Sequence, residues 1–385
     1  MAMRVLFLTT PLVSHTFPLV PFAWAMRAAG HDVLFGTTGP ALSVSGAGVH
    51  VADFDPDGRC PSVAELNARR PDIVRLRATK VADGWPLLAE VTRRYAGAMT
   101  ALARRWRPDL IVTSQLQGGG LLAAAAAGVP VVEHRSSLLR GDDYFDRLPE
   151  LIPETFDALG VAGPPRRRVS LEVAPPSMAP ADGAWPMRYV PFNGGGVLPP
   201  DLTGRPDRRR IAVTVGTNVM APDMALFLDR TLKAAPEVDA EFVLLMAGVA
   251  TSGGTGGGTG GGTGEPVRNP PANVRVLREW VPLRAVLAGC SAILHHGGAG
   301  SILAALDAGV PQLIVPSGAP SFLQADVVRE RGAGLVAAAD ALDAAPIRRV
   351  LADAPLRDAA REVRDEIAGM PSPAGLVDRV LALDS

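Results

Sequence analysis

The chain is poor in cysteine and lysine, carries almost no net charge and has no long apolar run. Cys60 and Cys290 are its only cysteines; they stand far apart and form no CxxC. A disulfide framework and a cysteine-rich zinc site are therefore excluded. Lys80 and Lys233 are the only lysines, so nearly all the basic charge is arginine. Lys and Arg total 38 against 39 Asp and Glu, a formal net charge of −1. So balanced a chain has no electrostatic footprint for nucleic acid or an anionic membrane. No stretch approaches the ~20 apolar residues of a membrane span. The run Val5–Leu8 is too short for a signal-peptide core and has no small-residue cleavage site behind it. These absences predict a cytoplasmic protein that engages neither nucleic acid nor membrane. There is also no Walker A string and no H-E-x-x-H.

What is present is a globular balance: 385 residues, 48% hydrophobic and 20% charged. At roughly 100–200 residues per domain this predicts two to three domains, each able to bury a core. Val5–Thr9 reads as a buried strand, about Pro18–Ala29 as a helix closed by Gly30, and His31–Phe35 as the next strand. The same βαβ pattern recurs at Asp109–Thr113, about Leu121–Ala127 with Gly128, and Val129–Val132. Strands alternating with helices imply α/β architecture with parallel sheets covered on both faces. Between residues 174 and 208 prolines crowd together, a stiff and non-helical connection. A second series follows, with strands near Ile211–Val215, Glu241–Met246, Val274–Leu277, Ala292–His295 and Pro311–Val315. The reading divides the chain into a first domain over 1–190, a linker over 191–208 and a second domain over 209–370. A last helix within 371–385, near Gly375–Leu383 and set off by Pro371 and Pro373, is expected to pack back on the first domain.

Two segments look like motifs and are read otherwise. Residues 252–264 contain only Ser, Gly and Thr, so nothing offsets the entropy of ordering them and a flexible surface loop is predicted. The G-x-G-x-x-G string inside it lacks the following helix that a dinucleotide site needs. Asp53–Gly58 imitates half of a calcium loop, but the twelfth position is Ala64, so the bidentate ligand is missing and a solvated acidic loop is predicted.

The informative stretch is Trp280-Val281-Pro282, then His295-His296-Gly297-Gly298-Ala299-Gly300-Ser301, then Gly309-Val310-Pro311-Gln312. The glycine run lies between a strand and a helix that begins near Ser301. Glycines let backbone approach a ligand closely. Free amides and the helix dipole suit a diphosphate. Ser301 adds a hydroxyl donor and a histidine a charge-assisted one.

These residues resemble the donor-binding half of GT-B glycosyltransferases, and among them the bacterial enzymes that attach deoxysugars to polyketide and macrolide antibiotics. The N-terminal Ser14-His15-Thr16-Phe17-Pro18 run, through Ala-Ala-Gly to His31, resembles the first βα unit of the same family. The resemblance implies two Rossmann-like domains facing across a cleft, with the nucleotide sugar on the second and the acceptor on the first. It implies that Trp280 stacks on the base and that the Val281 backbone pairs with its edge. His295 or His296 would contact the pyrophosphate, His295 being favoured, with Gly298, Ala299, Gly300 and Ser301 around it and Gly216 and Thr217 closing the phosphate side. It implies that His15 is the general base of a single inverting displacement, a task that suits a pKa near working pH. Neither cofactor nor metal is expected, since helix amides and a histidine receive the leaving diphosphate.

Two departures from the family pattern stand out. Relatives commonly place an aspartate after the strand that follows Pro108-Asp109, where this chain has Thr113, Ser114 and Gln115. Either Ser114 or Gln115 then orients the imidazole, or Asp142 or Asp143 serves instead. Relatives also carry Asp-Gln where this chain has Pro320-Ser321, which fits a donor poor in hydroxyls and leaves Gln324 and Asp326 for a hydroxyl or amino group. The expected reaction is transfer of a deoxysugar from a TDP-type donor to a bulky apolar aglycone held by loops within 54–90 and 136–150. The alternatives are a nucleotide-sugar epimerase of the same architecture and a catalytically silent homologue acting as a binding partner. A homodimer remains open.

Overall fold

The computed structural model describes every residue except 1, 61–64, 66–78, 116, 140–143, 180–181, 205, 217–221, 247–266 and 385. Asp142, Asp143, Thr217 and the low-complexity segment 252–264 lie outside the described residues. The chain divides into two compact units, Met1–Val190 with Met370–Ser385, and Pro191–Gly369.

The first unit is built on strands β1 (Arg4–Leu8), β2 (Asp32–Thr37), β3 (His50–Asp53), β4 (Leu110–Ser114), β5 (Val131–Arg135), β6 (Arg168–Glu172) and β7 (Trp185–Pro186). They form one parallel sheet in the order β3-β2-β1-β4-β5-β6-β7. The second unit holds β8 (Arg210–Thr214), β9 (Glu241–Leu245), β10 (Val274–Leu277), β11 (Ala292–His295), β12 (Gln312–Ile314) and β13 (Gly334–Val336). Its parallel order is β10-β9-β8-β11-β12-β13. In each sheet the order reverses once, between β1 and β4 and between β8 and β11. Open α/β sheets take ligands at the carboxyl ends of the strands flanking such a reversal.

The strands are apolar without alternation because both sheet faces are covered. Leu6, Ile111 and Val131 pack against Ala96 and Met99 of the helix Trp85–Trp106 and Leu122 of the helix Gly118–Ala127. That second helix begins three residues earlier than its apolar run, at Gly118–Gly120. A Cβ on Gly120 would stand 2.3 Å from Thr113 Oγ1, so only glycine lets the helix lie this close to β4. In the second unit Val213, Phe242 and Leu294 pack on Phe227 and Ile347, while Ala212 and Ile293 on the other face meet Leu287 and Ala304. The first long helix starts later than the pattern suggests. One turn, Val13–Thr16, and a tight turn, Phe17–Leu19, precede the helix Val20–Ala28. Gly30 then reverses the chain at φ +90°.

Three expectations are corrected. The proline-rich segment 191–208, read as a stiff linker between domains, falls within the second unit: Leu202 is buried in its core and Asn193 is tied to Trp280 and Arg284. Strands β3, β6, β7 and β13 were not expected from sequence. The acidic string at 53–58 is not simply solvated: Asp53 Oδ1 accepts the Asp55 amide, and the Asp55 carboxylate accepts the amides of Arg59 and Cys60. At the C-terminus a short helix, Val377–Leu381, stands between tight turns. The Arg188 amide donates to Pro371 O at 2.8 Å and the Arg379 guanidinium lies 3.7 Å over the Trp185 ring. Among the described residues no helix is long and apolar enough to cross a membrane.

Candidate functional site

At the end of β11 two adjacent histidines take different surroundings. His295 is the last strand residue and points into the core, fully buried. Its Nδ1 accepts the Gly297 amide at 3.1 Å, so the proton sits on Nε2, which donates to Gln312 Oε1 at 2.9 Å. Burial, with His296 beside it, pushes its pKa down to about 3. Both ring nitrogens are engaged inside the protein, so the phosphate contact expected of His295 is not available to it. His296, one residue beyond the strand, is half-buried, and no described group bonds its ring. The imidazole lies in a slot between two glycines. A Cβ on Gly216 would stand 2.3 Å from its Cε1, and one on Gly298 would stand 2.6 Å from its Nε2. Gly216 also holds φ +73°, a left-handed conformation that L side chains avoid. Burial pushes the His296 pKa down to about 4, leaving a neutral ring with one N–H to donate.

The helix Ala299–Ala308 starts directly behind this slot. Its N-cap is Gly298, with extended backbone and no capping side chain. The amides of Ala299 and Gly300 are therefore free of side-chain caps, while Ser301 N turns back to Gly298 O at 3.0 Å. An uncapped helix start with its dipole is an anion receptor. Gln324, buried on the helix Ala319–Arg331, points its Nε2 to Gly297 O at 3.5 Å and so underlies the same turn. Ser321 at the start of that helix donates its hydroxyl to Ser317 O at 2.6 Å. Trp280 and Val281 stand beyond the end of β10, two strands away from β8. The Trp280 ring is 36% exposed and its indole N–H donates to Asn193 O at 2.7 Å, while Val281 is buried with Leu277 and Val286.

In the first unit His15 sits on the turn Val13–Thr16 that follows β1, half-buried, with no described group bonding its ring. Burial pushes its pKa down to about 4, so the ring is neutral at pH 7. Of the two neutral partners considered for it, Ser114 does not bond the ring: its Oγ is buried without a partner among the described residues. Gln115 is engaged elsewhere, its Oε1 accepting from Ser137 Oγ at 2.7 Å.

The N-terminal domain model of erythromycin biosynthesis protein CIII-like proteins matches residues 24–216, and the C-terminal domain model matches 229–383. The chain belongs to the erythromycin biosynthesis protein CIII-like family. It is a glycosyltransferase of the GT-B fold, among antibiotic glycosyltransferases. Elloramycin glycosyltransferase ElmGT from Streptomyces olivaceus is 39% identical over 98% of this chain and 97% of its own. The glycosyltransferase SnogD from Streptomyces nogalater superposes with a TM-score of 0.81 at 38% identity, covering 100% of both chains. The glycosyltransferase SsfS6 from Streptomyces sp. SF2575, solved in complex with thymidine diphosphate, superposes at 0.77 with 29% identity over 99% of each chain.

In this glycosyltransferase the structure groups Gly216, His296, Gly298, Ala299, Gly300, Ser301 and Gln324 around one turn. Sequence reasoning missed Asn193, which orients the Trp280 ring and caps Arg284 N with its side chain at 3.2 Å. Its signal was weak, a lone Asn ahead of Gly194–Gly196 in a segment read as linker.

Proposed function

We propose that the protein is an inverting glycosyltransferase that moves a deoxysugar from a thymidine diphosphate donor to a polyketide-type aglycone. The observation that carries this reading is the turn after β11, where an uncapped helix start adjoins an imidazole that no described residue bonds, pressed between two glycines. That arrangement suits a diphosphate. The relative solved with thymidine diphosphate supports the choice of base. Trp280 would stack on it and the Val281 backbone would pair with its edge, with Thr217 near the phosphates. The Ser321 hydroxyl is already committed to Ser317 O, which leaves little to recognise sugar hydroxyls and supports a deoxygenated sugar.

In the step itself the acceptor hydroxyl gives its proton to His15. Its oxygen attacks the anomeric carbon from the side opposite the diphosphate, the bond to the diphosphate breaks, and the configuration inverts. A neutral imidazole is the form a general base needs. Charge that develops on the leaving oxygen is met by the first amides of the helix Ala299–Ala308 and by the His296 N–H, all in place before reaction. No metal is assigned to the step. Asp142 or Asp143 is left as the partner that orients His15.

Titration with TDP, UDP and GDP, followed by product analysis with TDP-deoxysugars and polyketide aglycones, tests the reading. TDP should bind most tightly, and the glycoside should carry the anomeric configuration opposite to the donor. Absence of TDP binding, or a retained configuration, would overturn it.

A further inference from the structure

Buried polar atoms without partners concentrate at one edge of the first sheet. Ser114, the last residue of β4, pairs in register with His134 of β5, so the two side chains share a face of the sheet. Each is 1% exposed. Ser114 Oγ, His134 Nδ1 and His134 Nε2 all lack a hydrogen-bond partner among the described residues. Thr10, just past β1, adds a second buried hydroxyl without a partner among the described residues. Strands β1, β4 and β5 are consecutive neighbours, and all three residues lie at their carboxyl ends, beside the reversal of strand order.

Several nearby groups at the same edge are satisfied, although Gln117 Nε2 and Glu172 Oε2 also lack a partner among the described residues. Thr9 Oγ1 receives the Thr16 hydroxyl, Thr113 donates to Gln117 O, and the Glu133 carboxylate takes Ser170 and Arg135. Buried polar groups in native proteins are paired as a rule, so a cluster of exceptions asks for an explanation. The second unit offers the parallel: His296 Nδ1 and Ser317 Oγ lack partners at its diphosphate turn. Leu171 of β6, in register with His134, completes the row with an apolar neighbour.

We propose that His134 and Ser114 together read a hydroxyl of the acceptor other than the one that receives the sugar. An imidazole with one donor and one acceptor nitrogen, beside a hydroxyl that can do both, matches a phenol or enol hydroxyl and rejects its methyl ether. The assignment makes His134 a specificity residue, and it rests on the glycosyltransferase reading with the acceptor held by the first unit. Burial keeps this imidazole neutral, its pKa pushed down to about 4.

The test compares 1,8-dihydroxyanthraquinone with 1,8-dimethoxyanthraquinone as binding probes, by quenching of tryptophan fluorescence, on wild type, His134→Leu and His134→Asn. TDP affinity is measured on the same samples and reports on the donor site and the integrity of the fold. Wild type should bind the dihydroxy probe at least 10-fold more tightly than the dimethoxy one. His134→Leu should reduce that preference to about 2-fold or less with TDP affinity unchanged, and His134→Asn should restore part of it. The imidazole ¹⁵N signals of His134 should shift with the dihydroxy probe alone. A preference that His134→Leu leaves intact, or equal binding of the two probes by wild type, overturns the proposal. Loss of TDP binding in wild type would instead refute the underlying reading.

Discussion

Exchanging the roles of two adjacent histidines is the sharpest consequence of the structure. His295→Ala removes an acceptor from the Gly297 amide and a donor from Gln312 Oε1, both inside the core. Each orphaned buried group costs about 1–3 kcal/mol, so the loss is about 4 kcal/mol, a large share of a typical folding free energy of about 5–15 kcal/mol. At about 2–4 °C per kcal/mol for a unit of this size, Tm should fall by about 8–16 °C. His296→Ala breaks no ring hydrogen bond to any described residue, so Tm should move by no more than a few degrees. In the proposed role it removes a donor to a charged phosphate, worth about 1.5–3 kcal/mol, which predicts about a 10- to 150-fold weakening of TDP binding. Differential scanning fluorimetry gives the first quantity and isothermal titration with TDP the second, on the same preparations. If His295→Ala keeps its Tm and loses TDP, or His296→Ala keeps TDP and loses Tm, the assignment is reversed and the reasoning fails.

Other consequences are smaller but independent. Gly216→Ala should weaken TDP at least 10-fold, because its Cβ enters the His296 ring and φ +73° disfavours alanine, whereas Gly300→Ala, with nothing within 4 Å of its Cβ, should keep its Tm. Since the His15 pKa is pushed down to about 4, kcat/KM governed by it should stay flat from pH 8 to about pH 5.5; a limb centred near pH 6.5 would contradict this. His15→Ala should lower kcat by about 10²–10⁴-fold with TDP affinity unchanged. Glu172 is buried, and burial raises its pKa to about 8. The folded state then holds a proton that the unfolded state releases above about pH 4.5, so wild type loses stability from this group as pH rises toward 8, by up to about 1.4 kcal/mol per pH unit. Glu172→Gln should remove that slope in urea titrations at pH 5 to 8.

Much of the fold was legible because buried parallel strands are continuous apolar runs and helix ends carry glycine. That is why β1, β4 and the strands from β8 to β12 were found within a residue or two. The missed strands lack that signature. β13 is only three residues, Gly334–Val336, too short for any period to register. β6, Arg168–Glu172, begins in an arginine run and ends in a carboxylate, yet Glu172 is buried and the neighbouring Arg135 is paired with Glu133 and Asp182. Only the tertiary partners make those charges admissible inside. The glycine turn after β11 was legible for a different reason, since its close approach to the His296 ring demands glycine in any context. Which of the two histidines is spent inside the core was not, because tertiary partners decide it: Gly297 N and Gln312 Oε1 engage both ring nitrogens of His295. His134 was missed for another reason: the strand was read as ending at Val132, and it runs on to Arg135.

The most direct test of the central claim mixes TDP-deoxysugar, a polyketide aglycone and enzyme, and follows TDP release together with glycoside formation. The account predicts that TDP appears only with the aglycone present, in equal amount to a glycoside of inverted configuration, and that His296→Ala suppresses both. TDP release that ignores the aglycone, or transfer that survives His296→Ala undiminished at donor concentrations below the wild-type KM, would contradict it.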